Sequence, residues 1–183
     1  MRGIVFTLLV DMLEEQQGLA FLNSVLAEAD LPSGGAYTSG GNYELSELNE
    51  ILSCLERRLE IPVEFLLRNY GEYMLLRLAI MFPGFFEVDN LKTFLLSIDR
   101  RIHVELRKLY PDSSLPSFNY QDRGENGLTI DYRSSKKLCF LAEGLIEGAA
   151  KHFNSECSLI HSTCMHRGDD NCTFELEFYE RTE

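Results

Sequence analysis

The sequence predicts an α+β fold: a helical N-terminal subdomain packed on a C-terminal subdomain of antiparallel sheet plus helix. Two observations support this prediction. In the first 110 residues apolar side chains recur at three- and four-residue steps, which is the period of a buried helix face. After Pro111 the pattern changes to an alternation of apolar and polar residues, which is the period of a half-buried strand.

The N-terminal half is expected to contain five helices. The first two helices include Val5 to Met12 and Phe21 to Leu26. The other three are predicted over 45–59, 62–81 and 91–110. Glycine and proline punctuate 31–41, so this segment is predicted to be a loop. Pro62 suits a first helical turn, and Asp89 or Asn90 is a suitable cap for the last helix.

The C-terminal half is expected to form three strands and one helix. The strands are predicted over 128–132, 158–163 and 173–179, and the helix over 136–153. The last strand alternates most clearly, with Phe174, Leu176 and Phe178 on one face. A turn over 166–171 would join the last two strands, so they are expected to be antiparallel neighbours.

Length and charge limit the classes of function. A chain of 183 residues suits one domain or two tightly joined halves. The net charge of −12 and the pI of about 4.8 argue against nucleic acid and anionic membranes as partners, because both select basic surfaces. No secretory signal or membrane-spanning segment is recognised, so a cytoplasmic location is predicted.

A cysteine- and histidine-rich cluster predicts a metal site. Cys139, His161, Cys164 and Cys172 together offer three thiolates and an imidazole, the donor set of a closed structural zinc site. The alternative is that these are ordinary buried thiols. His166 could replace His161, and Cys157 could replace any of the thiols. His161 and Cys164 differ in strand parity, so the strand must bend or end between them if both bind one ion.

Two other polar features are ambiguous by pattern alone. His103 lies at the rim of a helical apolar stripe, where a half-buried histidine is more common than a ligand. Tyr132, Ser134 and Lys136 end a predicted strand and offer two hydroxyls and a cation that could bind carboxylates, although such strand ends are usually just polar. No nucleophile–base pair and no complete phosphate-binding loop is found, so the chain is predicted not to be an enzyme.

Four segments together resemble one family. They are Met1–Phe6, Ile102–Pro111, Tyr132-x-Ser134-x-Lys136 and Ala142–Ala150. In this order they are similar to the stand-alone bacterial H-NOX (haem nitric oxide/oxygen binding) proteins over essentially the whole chain. The signature of that family is Tyr-x-Ser-x-Arg, so Lys136 departs from it. Lysine keeps the charge but loses the planar fork of arginine, which predicts weaker orientation of one propionate.

The resemblance implies one domain over 1–183, with a distal subdomain at 1–62, a proximal subdomain at 63–183 and haem b buried between them. His103 would bind the haem iron, and Pro116 would press on the macrocycle. Tyr132, Ser134 and Lys136 would hold the propionates. Because some family members carry a C-terminal Cys/His cluster, the resemblance also favours zinc at Cys139, His161, Cys164 and Cys172, with thiol oxidation as a possible second input.

The resemblance also implies nitric oxide as the ligand. Oxygen-binding relatives place a hydrogen-bonding tyrosine where Leu141 stands here, and the other pocket positions are also apolar: Val5, Leu9, Met74, Leu78 and Leu145. Release of His103 on binding of nitric oxide would shift the subdomains and regulate a partner, a histidine kinase or a cyclic-di-GMP enzyme. The alternative is a haem-free, zinc-stabilised ligand-binding or interaction module, similar to the vinyl-reductase-type domains.

Overall fold

The N-terminal half of the molecule is helical. The computed structural model describes residues 1–111 and 114–179, so residues 112–113 and 180–183 of the predicted proximal subdomain lie outside the described residues. The helices of this half are α1 (Ile4–Gln17), α2 (Leu19–Glu28), α3 (Leu45–Leu59), α4 (Val63–Met81), α5 (Leu91–Ser97) and α6 (His103–Leu109). A short 3₁₀ turn, Pro83–Phe85, follows α4.

The helix predicted over 91–110 is divided in the structure. Five residues, Ile98–Ile102, form a π-helical segment between α5 and α6. Hydrophobic periodicity cannot distinguish this from a continuous α-helix, because an inserted π turn shifts the pattern by a single residue. Of the two predicted caps, Asn90 is the one that caps α5, because its side chain accepts a hydrogen bond from Thr93 N at 2.9 Å.

The C-terminal half forms a four-stranded antiparallel sheet with one long helix. The elements are β1 (Ser117–Asp122), β2 (Gly127–Arg133), α7 (Cys139–His152), β3 (Glu156–Thr163) and β4 (Cys172–Tyr179), and the strand order is β1-β2-β4-β3. The sequence analysis missed β1, whose Phe118 and Tyr120 alternate with polar residues. The strand is short and lies at the sheet edge, so its hydrophobic signal is weak.

Two apolar cores lie on either side of the α4–α7 pair. One is formed by the sheet with α5 and α7, and includes Leu128, Phe174 and Leu176. The other is formed by α1, α2 and α3 with parts of α4 and α7. The α+β fold class is therefore confirmed. The domain boundary predicted at residue 62 stays a prediction.

Glycines allow α4 and α7 to approach closely. A Cβ atom on Gly144 would lie 1.9 Å from the carbonyl oxygen of Arg68, and one on Gly71 would lie 2.3 Å from that of Leu141. Any side chain at these positions would force the two backbones apart. No helix in the described part of the chain is long and apolar enough to cross a bilayer.

Candidate functional site

His103 is buried at the first position of α6, directly after the π-helical segment. Its Nδ1 lies 2.7 Å from Oδ1 of Asp99, one turn earlier. Burial lowers the pKa of His103, although the Asp99 carboxylate acts in the opposite direction. A neutral ring that donates from Nδ1 keeps its lone pair on Nε2, which is the form that binds a metal.

Asp99 connects His103 to the edge strand. Its Oδ2 accepts a hydrogen bond from the backbone N–H of Phe118 at 3.3 Å, and the Phe118 ring centroid lies 5.5 Å from that of His103. The sequence analysis did not assign a role to Asp99 or Phe118. The four-residue spacing of Asp99 and His103 on a helix was an available signal, whereas Phe118 could be found only from the packing of β1.

Tyr132, Ser134 and Lys136 come together at the end of β2. The strand stops at Arg133, and Ser134 Oγ accepts a hydrogen bond from Lys136 N at 3.2 Å in the following turn. Burial raises the pKa of Tyr132 to about 12, and the Ser134 hydroxyl is its hydrogen-bonding neighbour. Tyr132 is still in β2, whereas Ser134 and Lys136 lie in the turn after it, so the three side chains do not lie on one face of a persisting strand. Their grouping nevertheless offers hydroxyl donors beside a cation, as a carboxylate requires.

A second positive charge lies near Lys136. Burial, and then repulsion from Lys136, lower the pKa of the Met1 ammonium. Burial also lowers the pKa of Lys136, whose Nζ donates to the Ser114 carbonyl. Two partly desolvated cations that are far apart in the chain therefore lie near each other, which favours an anionic group there. Pro116, half-buried, lies one residue before β1.

The predicted gas pocket is distributed over three helices. Its residues are Val5 and Leu9 on α1, Met74 and Leu78 on α4, and Leu141 and Leu145 on α7. Leu78 and Leu145 pack against both apolar cores, so they lie at the seam between them. The neighbouring hydroxyl of Tyr70, which the sequence analysis did not consider, is buried and donates to the Val5 carbonyl. Its proton is therefore already used in that hydrogen bond and is not available to a bound gas.

Cys139, His161, Cys164 and Cys172 form one cluster. Their ligand atoms all lie within 4.8 Å of one another, and Cys139 Sγ is 3.8 Å from Cys164 Sγ. Burial is the largest cause of the raised pKa of both Cys139 and Cys172. A β-bulge between His161 and Thr163 supplies the bend that strand parity required.

The two alternative metal ligands, His166 and Cys157, are not part of this cluster. His166 Nε2 bonds to the Lys137 carbonyl at 2.7 Å, and Cys157 is not part of the cluster found among the described residues. In contrast, Nε2 of His161 is buried without a hydrogen-bond partner in the described structure, while its Nδ1 bonds to Glu143. A buried, unpaired nitrogen beside three thiols fits a tetrahedral metal site.

Comparison with known proteins identifies the family. The Haem-NO-binding family model matches residues 2–161, which contain His103, the Tyr132–Lys136 turn and two of the four cluster residues. The chain belongs to the H-NOX family. H-NOX proteins are haem-based gas sensors, and the buried neutral His103 and the hydroxyl–cation turn suit the iron and the propionates of a haem. A comparison with curated proteins found no match.

Solved H-NOX structures agree closely with this fold. The H-NOX protein from S. oneidensis in the Fe(II)NO ligation state has a TM-score of 0.92 and 34% identity, and the match covers 98% of this chain and 100% of that one. The Fe(II) unliganded protein from K. algicida has a TM-score of 0.91 and 32% identity, with coverage of 100% and 99%. A variant of the T. Tengcongensis H-NOX, at 20% identity and a TM-score of 0.87, shares the fold, with coverage of 100% for both chains.

Proposed function

We propose that this H-NOX protein senses nitric oxide through a haem on His103 and discriminates against oxygen. The observation that carries the proposal is the apolar pocket. Its six predicted side chains have no hydrogen-bond donor, and the nearby Tyr70 hydroxyl is already bonded to the Val5 carbonyl. Bound oxygen gains from a distal donor, whereas nitric oxide needs it little, so such a pocket favours nitric oxide. The S. oneidensis relative, crystallised as its Fe(II)NO form, supports the same ligand.

When bound, the haem supplies the iron to which the gas binds. The protein side chains around His103 then transmit gas binding to the rest of the molecule. His103 would hold the iron through Nε2, and its Nδ1 donates to Asp99. If His103 loses that iron partner, its ring stays attached to Asp99 and, through Asp99, to the Phe118 backbone of β1. A movement of His103 is therefore passed to α6 and to the sheet edge together. Small displacements at such a packed boundary can select between two arrangements.

The remaining parts of the proposal concern output and metal. We assign signalling to a separate histidine kinase or cyclic-di-GMP enzyme, with a non-catalytic role for this chain in the cytoplasm. Zinc is proposed at the Cys139–His161–Cys164–Cys172 cluster, as a structural ion, because the unpaired Nε2 of His161 completes the donor set. Family membership favours this haem-containing interpretation over the haem-free zinc module.

The test is the visible absorption spectrum of the purified, reduced protein. A haem band that air leaves unchanged and that nitric oxide shifts is expected. A stable oxygen complex would contradict the pocket argument but not the family assignment. In a second experiment, His103→Ala should lose or destabilise the haem, and added imidazole should restore it. Unchanged haem content and spectrum in that variant would contradict the role of His103.

A further inference from the structure

A fully buried carboxylate, Glu143, lies between the cysteine cluster and helix α4. One oxygen, Oε1, hydrogen-bonds with Nδ1 of His161, and the other, Oε2, accepts from the guanidinium of Arg68. The Glu143 side chain is only 1% exposed. An ionised carboxylate is very unfavourable in such a place unless it is both paired and hydrogen-bonded. The bonds to His161 and Arg68 are therefore what makes the buried, charged Glu143 side chain tolerable, and each bond has a consequence for the cluster.

The bond to His161 determines which nitrogen is available to a metal. An imidazole whose Nδ1–H is held by a carboxylate has its lone pair on Nε2. In this structure Nε2 is the buried atom for which the described residues offer no partner, and the cluster places one nitrogen of His161 within 4.8 Å of the three cysteine sulfurs. A carboxylate on the far nitrogen also raises the basicity of a histidine ligand and holds its ring in place.

The bond to Arg68 connects the same carboxylate to α4. Arg68 and Glu143 are 75 positions apart in the chain, and they meet where α4 and α7 approach most closely. The neighbouring residue on α7 is Gly144, where a Cβ atom would lie 1.9 Å from the Arg68 carbonyl oxygen. The glycine thus allows the approach that brings the guanidinium to the carboxylate. Helix α4 also carries Met74 and Leu78 of the predicted gas pocket.

We propose that Glu143 is the positioning residue of the metal site, orienting His161 for Nε2 coordination while Arg68 holds Glu143 from α4. The inference rests on the zinc site of the proposed function. Metal binding then stabilises the connection from β3 through α7 to the helix that lines the gas pocket. Arg68 contributes by neutralising the buried carboxylate, so it acts on the metal only through Glu143 and His161.

The test is zinc affinity in the full-length, haem-loaded protein, measured by competition with a chromogenic chelator at one pH. Glu143→Gln keeps an acceptor for Nδ1–H but loses the charge, and should weaken zinc binding about tenfold. Glu143→Ala removes both and should weaken it up to about 100-fold. The matched control is Glu147→Gln. Glu147 lies one turn further along α7, and its Oε1 is 3.7 Å from Nε of the same Arg68. This variant should bind zinc as the wild type does.

A second readout does not depend on whether any variant folds. Nitrogen NMR of the histidine rings in the zinc-loaded wild type should show His161 protonated on Nδ1 and metal-bound through Nε2. Coordination through Nδ1 would overturn the proposal, as would zinc affinity in Glu143→Ala within twofold of the wild type. A wild type that binds no zinc would overturn the metal site itself. Tight zinc with unaffected Glu143 variants would refute only the positioning role.

Discussion

The Asp99 carboxylate bonds to both the His103 ring and the Phe118 backbone, which makes Asp99→Asn an informative substitution. Oδ1 lies 2.7 Å from His103 Nδ1, and Oδ2 accepts from Phe118 N at 3.3 Å. Asparagine has nearly the same shape but one oxygen instead of two. If its oxygen serves His103, its NH₂ group faces the Phe118 N–H, and two donors then oppose each other.

The size of the effect follows from these two bonds. A hydrogen bond to a charged group contributes about 1.5–3 kcal/mol and a neutral one about 0.5–1.5 kcal/mol, so loss of the charge costs His103 about 1 kcal/mol. Because the Asp99 side chain is 25% exposed, solvent screens part of its charge and the lower end applies. Loss of the Phe118 bond costs about another 1 kcal/mol. At 1.4 kcal/mol per factor of ten, the haem should bind about fivefold more weakly when only the first cost reaches the iron.

The assay is the rate of haem transfer from the ferric protein to an excess of a haem-free globin acceptor. We expect Asp99→Asn to lose haem about fivefold faster than the wild type from the first cost alone. If the lost Phe118 bond also loosens His103, the factor rises to about 25, within the 10–100-fold range usual for partners of metal ligands. Glu105→Gln is the matched control, since it removes a carboxylate from α6, the helix of His103, that is half exposed and paired with Lys108. Equal haem loss in the wild type and Asp99→Asn would refute the reasoning that Asp99 supports His103.

Three further predictions concern the pocket, the metal and the helix contact. Leu141→Tyr should give an oxygen complex that Leu141→Phe, which lacks the hydroxyl, does not; equal oxygen binding by both variants would argue against the donor rule. Cys164→Ser should lose zinc and lower the unfolding temperature, whereas Cys157→Ser should retain its zinc by elemental analysis. Gly144→Ala should destabilise the fold by about 1–3 kcal/mol in urea, because its Cβ would lie 1.9 Å from the Arg68 carbonyl oxygen, and an unchanged midpoint would contradict the close contact.

Local pattern was sufficient for much of the fold. The 3.6-residue period over the first 110 residues and the alternation in β4 predict the observed elements, because burying one face of each element constrains its own residues. The four cluster residues were also predictable as a group, since three thiols and an imidazole are the donor set of a structural zinc site. His103 was ambiguous by pattern and was identified only through resemblance to a family.

Other features depend on residues that are distant in the chain, so they become visible only once the elements are packed together. Phe118 reaches Asp99 because β1 packs at the sheet edge, and Arg68 reaches Glu143 because two glycines let α4 and α7 touch. The bulge in β3 that turns His161 toward the cysteines depends on its register with β4. The fold class and the grouping of the cluster's cysteines and histidine could be predicted from the sequence alone. Packing determined that Glu143 supports His161, since the two residues lie on different elements, whereas the four-residue spacing of Asp99 and His103 is visible in the sequence.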